Sequence, residues 1–366
     1  MARQNRRDLF DPHEVGVYHC MQRTVRRAWL CGQDPLTGKS FEHRRAWIQK
    51  RMEQIAASYG LDVLSYAIMA NHIHIIVRNR PDVVATWSDE QVVRRWWKIF
   101  PLRRNADRSP AEPTESDLRV WMTKARLEQI RSRLSDISWF MRSLCEPIAR
   151  LANLEDHCTG HFWEGRFKSQ KLVDEAAILA CTAYVDLNPV RAGIAETPEQ
   201  AEFTSVYERA RAQKEACIQR ARAKRRQQFR RRKKTSQPSF VRHDEWLTPV
   251  PLDERAVAYQ GPMPSQTQRR ASDKGFLAMS LETYFKFLDW TGRQIRRDGK
   301  RGRIPDYASP ILQRLGIDAG TWCECVKGFG KYFKRVAGSP QALANEATKR
   351  GRICFHTRGS PLAVVT

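Results

Sequence analysis

The stretch 61-LDVLSYAIMANHIHIIVRNR-80 is rich in β-branched and apolar residues and reads as two strands joined near Ala70 and Asn71. Side chains alternate along a strand, so His72 and His74 leave the second strand on one face. Ile73, Ile75 and Val77 leave it on the other. Upstream, residues 15–24 (VGVYHCMQRT) read as a first strand entered from the turn-forming DPH at 11–13. Residues 42–58 place Trp47, Ile48, Met52, Ile55 and Ala56 at helical spacing, and Gly60 closes that helix as glycine often does. The order is strand, helix, strand, strand.

Residues 81–135 break this pattern with Pro81, Pro101, Pro110 and Pro113, many charges, and weak helical signals at 89–99 and 116–134. They read as a helical insertion. An amphipathic helix is expected over 136–154, with Pro147 a candidate kink. A strand or hairpin over 161–173 turns at Glu164-Gly165; Asp174 then caps a helix over 175–187, which Pro189 limits. Residues 201–240 form a basic connector with 13 Lys+Arg against three Glu, possessing a helical N-terminal part, and 241–273 read as loop. Leu281, Tyr284, Phe285 and Leu288, then Trp322, Val326, Phe329, Tyr332 and Phe333, mark a small helical C-terminal module. The resulting organisation is 1–200, 201–273 and 274–366, with 81–135 inserted in the first.

The 366 residues carry 64 Lys+Arg against 40 Asp+Glu, a formal charge of +24. A surplus of that size points to a polyanionic partner, nucleic acid first, over a purely solubilising charge. Nine cysteines, an odd number without a CxxC pair, argue against a disulfide framework. The beginning, MARQNRRDLFDPHEV, lacks the apolar stretch of a signal peptide, and no run of about 18 apolar residues suggests a membrane span. A reduced, cytoplasmic, nucleoid-associated protein is the expectation.

Two imidazoles at the spacing of His72 and His74 can share a divalent cation; a pair merely hydrogen-bonded to its neighbours is the plainer reading. In 181-CTAYVDLNPVRAG-193, Tyr184 and Asn188 stand four apart, roughly 40° around a helix axis. The apolar stripe runs through Ile178, Cys181, Thr182 and Val185, so Tyr184 lies beside it and can present its hydroxyl to the sheet. The Asn188 amide oxygen can add a third metal ligand; the alternative is a core tyrosine near a helix-ending Asn-Pro. Zinc at His157, Cys158 and His161, or at Cys323 and Cys325, lacks the usual ligand spacing.

His72-Ile73-His74 fits the His-hydrophobic-His (HUH) signature, and Tyr184-Val-Asp-Leu-Asn188-Pro-Val-Arg-Ala-Gly resembles the tyrosine helix of the REP-associated tyrosine transposases. These belong with the single-tyrosine HUH transposases of bacterial insertion sequences. Tyr18-His19-Cys20-Met21-Gln22-Arg23 and Phe162-Trp163-Glu164-Gly165-Arg166-Phe167 also resemble the family's opening strand and the segment before its tyrosine helix. The resemblance spans roughly residues 10–195; 81–135 is longer than a minimal member carries, and nothing beyond about 205 is covered. It implies an α+β, ferredoxin-like fold, an antiparallel sheet with helices packed on it. It further implies hairpin-forming single-stranded DNA as substrate, Mg²⁺ or Mn²⁺ at His72, His74 and Asn188, and Tyr184 as nucleophile. Cleavage then leaves a 5′-phosphotyrosine and a free 3′-hydroxyl, and rejoining needs no ATP because the intermediate retains the bond energy. A phenol is a poor nucleophile near neutral pH, its pKa being about 10, which is why a cation on the phosphate helps. The family includes dimers and monomers, so a homodimer stays open.

Candidate DNA contacts are Arg166 and Lys168, beside Phe162, Trp163 and Phe167 as base-stacking or core aromatics, then Arg191, and Arg230, Arg231 and Arg232 in the connector. Arg94-Arg95-Trp96-Trp97-Lys98 is a second surface unless its tryptophans pack the insertion down. The connector is either a salt-sensitive DNA contact or a solvated linker, and the C-terminal module binds DNA, a second subunit or the core. The leading reading is an active nuclease and strand transferase. The alternative is an inactive or regulatory DNA-binding protein for repeat hairpins, and an RNA-binding protein is the more distant rival.

Overall fold

A computed structural model describes residues 9–25, 30–229, 242–252, 261–295, 308–315 and 317–355. The chain opens with β1 (Gly16–Arg23), α1 (His43–Ala56), β2 (Leu61–Ile68) and β3 (His72–Asn79). The insertion follows as α2 (Pro81–Ala85), α3 (Asp89–Ile99), α4 (Glu115–Arg119) and α5 (Lys124–Leu134). Next come α6 (Ile137–Glu155), β4 (Lys168–Leu172), α7 (Glu175–Asp186), α8 (Asn188–Arg191) and α9 (Ser205–Phe229). The remainder is α10 (Leu281–Ile295), α11 (Ala308–Arg314), α12 (Ala319–Tyr332), β5 (Val336–Ala337) and α13 (Pro340–Lys349). The class is α+β.

The five strands are ordered β2-β3-β1-β4-β5. The first four pair antiparallel, and β5 joins β4 in parallel. β3 therefore lies between β1 and β2, which α1 connects over one face. Both faces are covered, and the alternation of β3 sorts its side chains between them. Ile73, Ile75 and Val77, with Tyr18 and Cys20 of β1, pack against Ile48 and Met52 of α1 and Phe140 and Leu144 of α6. Ile76, with Val17 and Leu64, faces a second core built by α7, α10 and α12. Each fully buried aliphatic or aromatic side chain in these layers contributes roughly 1.5–3 kcal/mol.

Local chemistry explains the element ends. Asp174 caps α7 by accepting from the Ala177 amide at 2.8 Å, while its other oxygen accepts from Ser339 N, at the start of α13, at 2.6 Å. Pro147 has no N–H to offer the Ser143 carbonyl, yet α6 continues through it because Arg51 Nε donates to that carbonyl at 3.0 Å. As the sequence suggests, α7 stops short of Pro189, at Asp186; Leu187 keeps right-handed helical angles, and Pro189 falls in the first turn of the short α8, where no N–H is needed. Gly193, at φ 71°, then turns the chain away.

The insertion is held down by its aromatics. Trp96 and Trp97 are buried, Trp97 Nε1 donates to the Ala111 carbonyl at 2.6 Å, and Arg133 stacks 4.3 Å from the centre of Trp139. Within 242–277 no helix or strand forms among the described residues, but the segment is fastened to the sheet. Asp62, fully buried, accepts from Arg78, Arg80 and Ser272, and Arg78 also donates to the Lys274 and Gly275 carbonyls. Among the described residues no helix is long and apolar enough to cross a membrane.

Gly60 serves a different purpose from the expected helix terminator. A Cβ there would lie 2.1 Å from Val84 Cγ2, so the residue permits α2 to pack against the end of α1. Gly60→Ala is expected to cost about 1–3 kcal/mol by overpacking, and adding Val84→Ala should return part of that loss. Denaturant unfolding checks it: equal midpoints for wild type and Gly60→Ala would refute the contact.

Candidate active site

The pleat places His72 and His74 on the sheet face that looks toward α7, and the register of β1 against β3 brings a third histidine beside them. His74 pairs with Met21 and His19 with Ile76, so His19 lies diagonally across the ladder from His74. Their rings stack with centroids 5.0 Å apart, and His19 Nε2 is 2.8 Å from His74 Nδ1. Gln170, the partner of His19 on β4, hydrogen-bonds to the His19 ring. His72 is fixed separately: its Nδ1 donates to Asn71 Oδ1 at 2.6 Å.

Both Nδ1 atoms are thus occupied. With His74 Nδ1 donating to His19, the lone pair that remains on each ring is at Nε2. His74 Nε2 is buried and has no hydrogen-bond partner, and a buried orphan of this kind calls for an explanation. Metal-binding histidines are commonly oriented in this way, through a partner on the other ring nitrogen. The His72 and His74 rings lie 4.8 Å apart edge to face, so the donor set fits a divalent cation held by two Nε2 atoms. Among the described residues no group of three or more His, Cys, Asp and Glu side chains is arranged to hold a metal. Further ligands would have to be amide, water or substrate oxygens.

Tyr184 meets these histidines from the other side. It sits on α7, half-buried, with its ring centroid 5.5 Å from His74 and 6.2 Å from His19. Its far side is covered by the C-terminal module, where Phe329 of α12 lies 6.0 Å away, tilted 32°. Consequently α7 is buried nearly all round, rather than along the single stripe expected from its sequence. Asn188 is half-buried at the start of α8, one turn past Tyr184; no contact joins it to either histidine among the described residues. Arg191 is exposed, but its guanidinium is engaged. Its guanidinium lies 5.0 Å from the Tyr184 ring centre, and its Nη2 donates to the Lys327 carbonyl at 2.7 Å.

Arg166 and Lys168 are exposed, and with Met21, Arg23, Glu164 and Gly165 they line a surface pocket. Arg23 pairs with His72 across the ladder, so this basic pocket adjoins the histidines. The nearby aromatics face inward: Phe162 is buried, and Trp163 and Phe167 pack on the core, with Trp163 Nε1 donating to the Cys145 carbonyl at 2.9 Å. Arg230, Arg231 and Arg232 lie outside the described residues. Sequence reading missed His19 and Asn71 as supports; a histidine at alternation distance in a predicted neighbouring strand was the available signal.

Burial dominates the protonation of the site. It lowers His19 and His72 to about 4 and His74 well below its usual value. It also raises the Tyr184 phenol, against which the Arg191 charge and hydrogen bond act. The histidines are therefore neutral near pH 7, the form in which imidazole binds metal.

No family model and no curated protein matches the chain. A solved structure of a REP-associated tyrosine transposase bound to a REP hairpin is similar to it at 12% identity and a TM-score of 0.30, over 54% of this chain and 80% of that one. The likeness is distant.

Because the folded histidines titrate below their unfolded value of about 6.5, the unfolded chain binds more protons between that pH and about 4. Their contribution is complete above about pH 6.5 and is lost as pH falls, by up to about 1.4 kcal/mol per pH unit for each histidine. Unfolding free energies measured from pH 7 to 4.5 should decline less steeply in His19→Gln than in wild type. Identical slopes would contradict the neutral, buried assignment of His19.

Proposed function

We propose that this chain is a metal-dependent single-stranded DNA endonuclease and strand transferase, an HUH enzyme like the REP-associated tyrosine transposases, acting on hairpin DNA through Tyr184. The observation that carries the reading is the meeting of Tyr184 with His74, which itself lies edge to face with His72, although 110 residues of sequence separate the tyrosine from His74. The split order of β1, α1, β2 and β3 is also what a ferredoxin-like HUH domain uses. Among proteins that use histidine-bound cations, a tyrosine on a helix facing the pair suits covalent phosphoryl transfer.

Mg²⁺ or Mn²⁺ held by Nε2 of His72 and His74, with Asn188 as third ligand, would supply charge neutralisation on the scissile phosphate. The remaining work belongs to the chain. Arg23, Arg166 and Lys168 bind backbone phosphates beside the histidines and orient the strand. The Tyr184 oxygen attacks phosphorus, its proton passes to solvent, and the bond from phosphorus to the 3′ oxygen breaks. The electron pair goes to that oxygen, which takes up a proton, leaving a 5′-phosphotyrosine and a 3′-hydroxyl. Rejoining reverses these steps with another 3′-hydroxyl. Packing by α12 and Phe329 limits water around the tyrosine, which protects the intermediate from hydrolysis.

Incubation of the protein with labelled hairpin-bearing single-stranded oligonucleotides and Mn²⁺ is expected to yield a covalent protein–DNA band. That band should vanish in Tyr184→Phe and in EDTA. Tight hairpin binding without any covalent product in either metal would favour the regulatory DNA-binding alternative.

A further inference from the structure

Arg191 was expected to be one more cation for DNA phosphates, yet the fold employs it differently. Leu187 preserves the helical rotation between α7 and α8, so Tyr184, Asn188 and Arg191 follow one another at i, i+4 and i+7 along one face. The guanidinium lies over the tyrosine ring, 5.0 Å from its centre. A second element holds it there, since Nη2 donates to the Lys327 carbonyl of α12 at 2.7 Å. The same helix supplies the rest of the wall. Phe329 packs on the Tyr184 ring, and Gly330 lies beside its hydroxyl, where a Cβ would make ordinary contact with the oxygen at 3.6 Å.

We infer that Arg191 is a catalytic residue acting on the Tyr184 oxygen, and that α12 of the C-terminal module is the positioning element that holds it there. The inference rests on the cleavage reading above. In cleavage, Arg191 donates a hydrogen bond to the phenolic oxygen as its proton leaves and its bond to phosphorus forms. In rejoining, a 3′-hydroxyl attacks phosphorus and gives up its proton to solvent, the bond to the Tyr184 oxygen breaks, and the electron pair returns to that oxygen. Arg191 stabilises the resulting phenolate until it regains a proton, and stays protonated throughout. A fixed donor aimed at a developing oxyanion in a partly desolvated site commonly accounts for 10²–10³ in rate. The C-terminal module is then part of the active site and not an appendage, because the carbonyl that fixes the guanidinium belongs to it.

The test separates binding from chemistry in the full chain. Covalent adduct formation is timed at saturating hairpin DNA with Mn²⁺, and hairpin affinity is measured by fluorescence anisotropy. Arg191→Ala is expected to slow adduct formation by about 10²-fold or more with little change in affinity. Millimolar guanidinium ion, but not an equal concentration of sodium, should restore part of the rate. Phe329→Ala should slow the same step with affinity intact. A weakened affinity with an unchanged saturated rate would make Arg191 a DNA contact only. A slowed rate that guanidinium does not restore, with a lowered unfolding midpoint, would make it a docking contact for α12; either result overturns the inference. A wild type that forms no adduct would overturn the cleavage reading itself. The contact is then decided by the ¹⁹F resonance of 3-fluorotyrosine at position 184, which Arg191→Ala and Phe329→Ala should both shift. An unmoved resonance removes the contact as well.

Discussion

The carboxylate of Asp186, fully buried two residues after Tyr184, receives the hydroxyls of Ser65, Ser205 and Tyr284, the last at 2.5 Å. Those donors belong to β2, α9 and α10, so a single acceptor ties the tyrosine helix to the sheet, the long basic helix and the C-terminal module. Burial raises the Asp186 pKa while Arg209 and the three hydroxyls oppose that rise. Removing any one donor leaves a buried oxygen short of a partner, at a cost of roughly 1–3 kcal/mol. Asp174 repeats the device at the other end of α7, bridging to Ser339. The tyrosine is thus carried by a helix anchored at both ends.

Two electrostatic environments meet at the Tyr184 ring. Beside the sheet, desolvation keeps three histidines neutral and leaves Nε2 of His72 and His74 available. Over the ring stands a guanidinium that cannot lose its proton. Neutral donors for a cation and a permanent positive charge therefore both adjoin the phenol. Phosphoryl transfer to a phenolic oxygen benefits from both. Much of the arginine elsewhere is structural, as at Asp62 and in the Arg44 pairs with Glu155 and Asp156. Net charge alone is therefore a poor guide to which cations are available to a polyanion.

The alternation of β3 and the capping of α7 by Asp174 were legible because both follow from local spacing, and local spacing is what sequence displays. The motif spanning Tyr184, Asn188 and Arg191 was visible for the same reason, although its last member was assigned to DNA alone. His19 escaped notice because its role depends on a cross-strand register, which no single strand reveals. Phe329 and Gly330 escaped because they reach Tyr184 from 145 and 146 residues away, on a helix whose pattern says only that it is buried somewhere. Trp163 and Phe167 illustrate the converse: aromatics between cations suggest base stacking, but the chain turns them into the core. Gly60 was recognised as a boundary for a backbone reason, whereas its actual constraint is the Val84 side chain.

The account rests on His72 and His74 offering their Nε2 atoms jointly to one cation in front of Tyr184. Pulsed EPR of Mn²⁺ added to the protein reads that directly, because each coordinated imidazole contributes its own ¹⁴N coupling. Two such couplings in wild type, falling to one in His72→Ala and in His74→Ala, are the predicted result. Mn²⁺ that binds without nitrogen coupling, or whose couplings survive both substitutions, would contradict it.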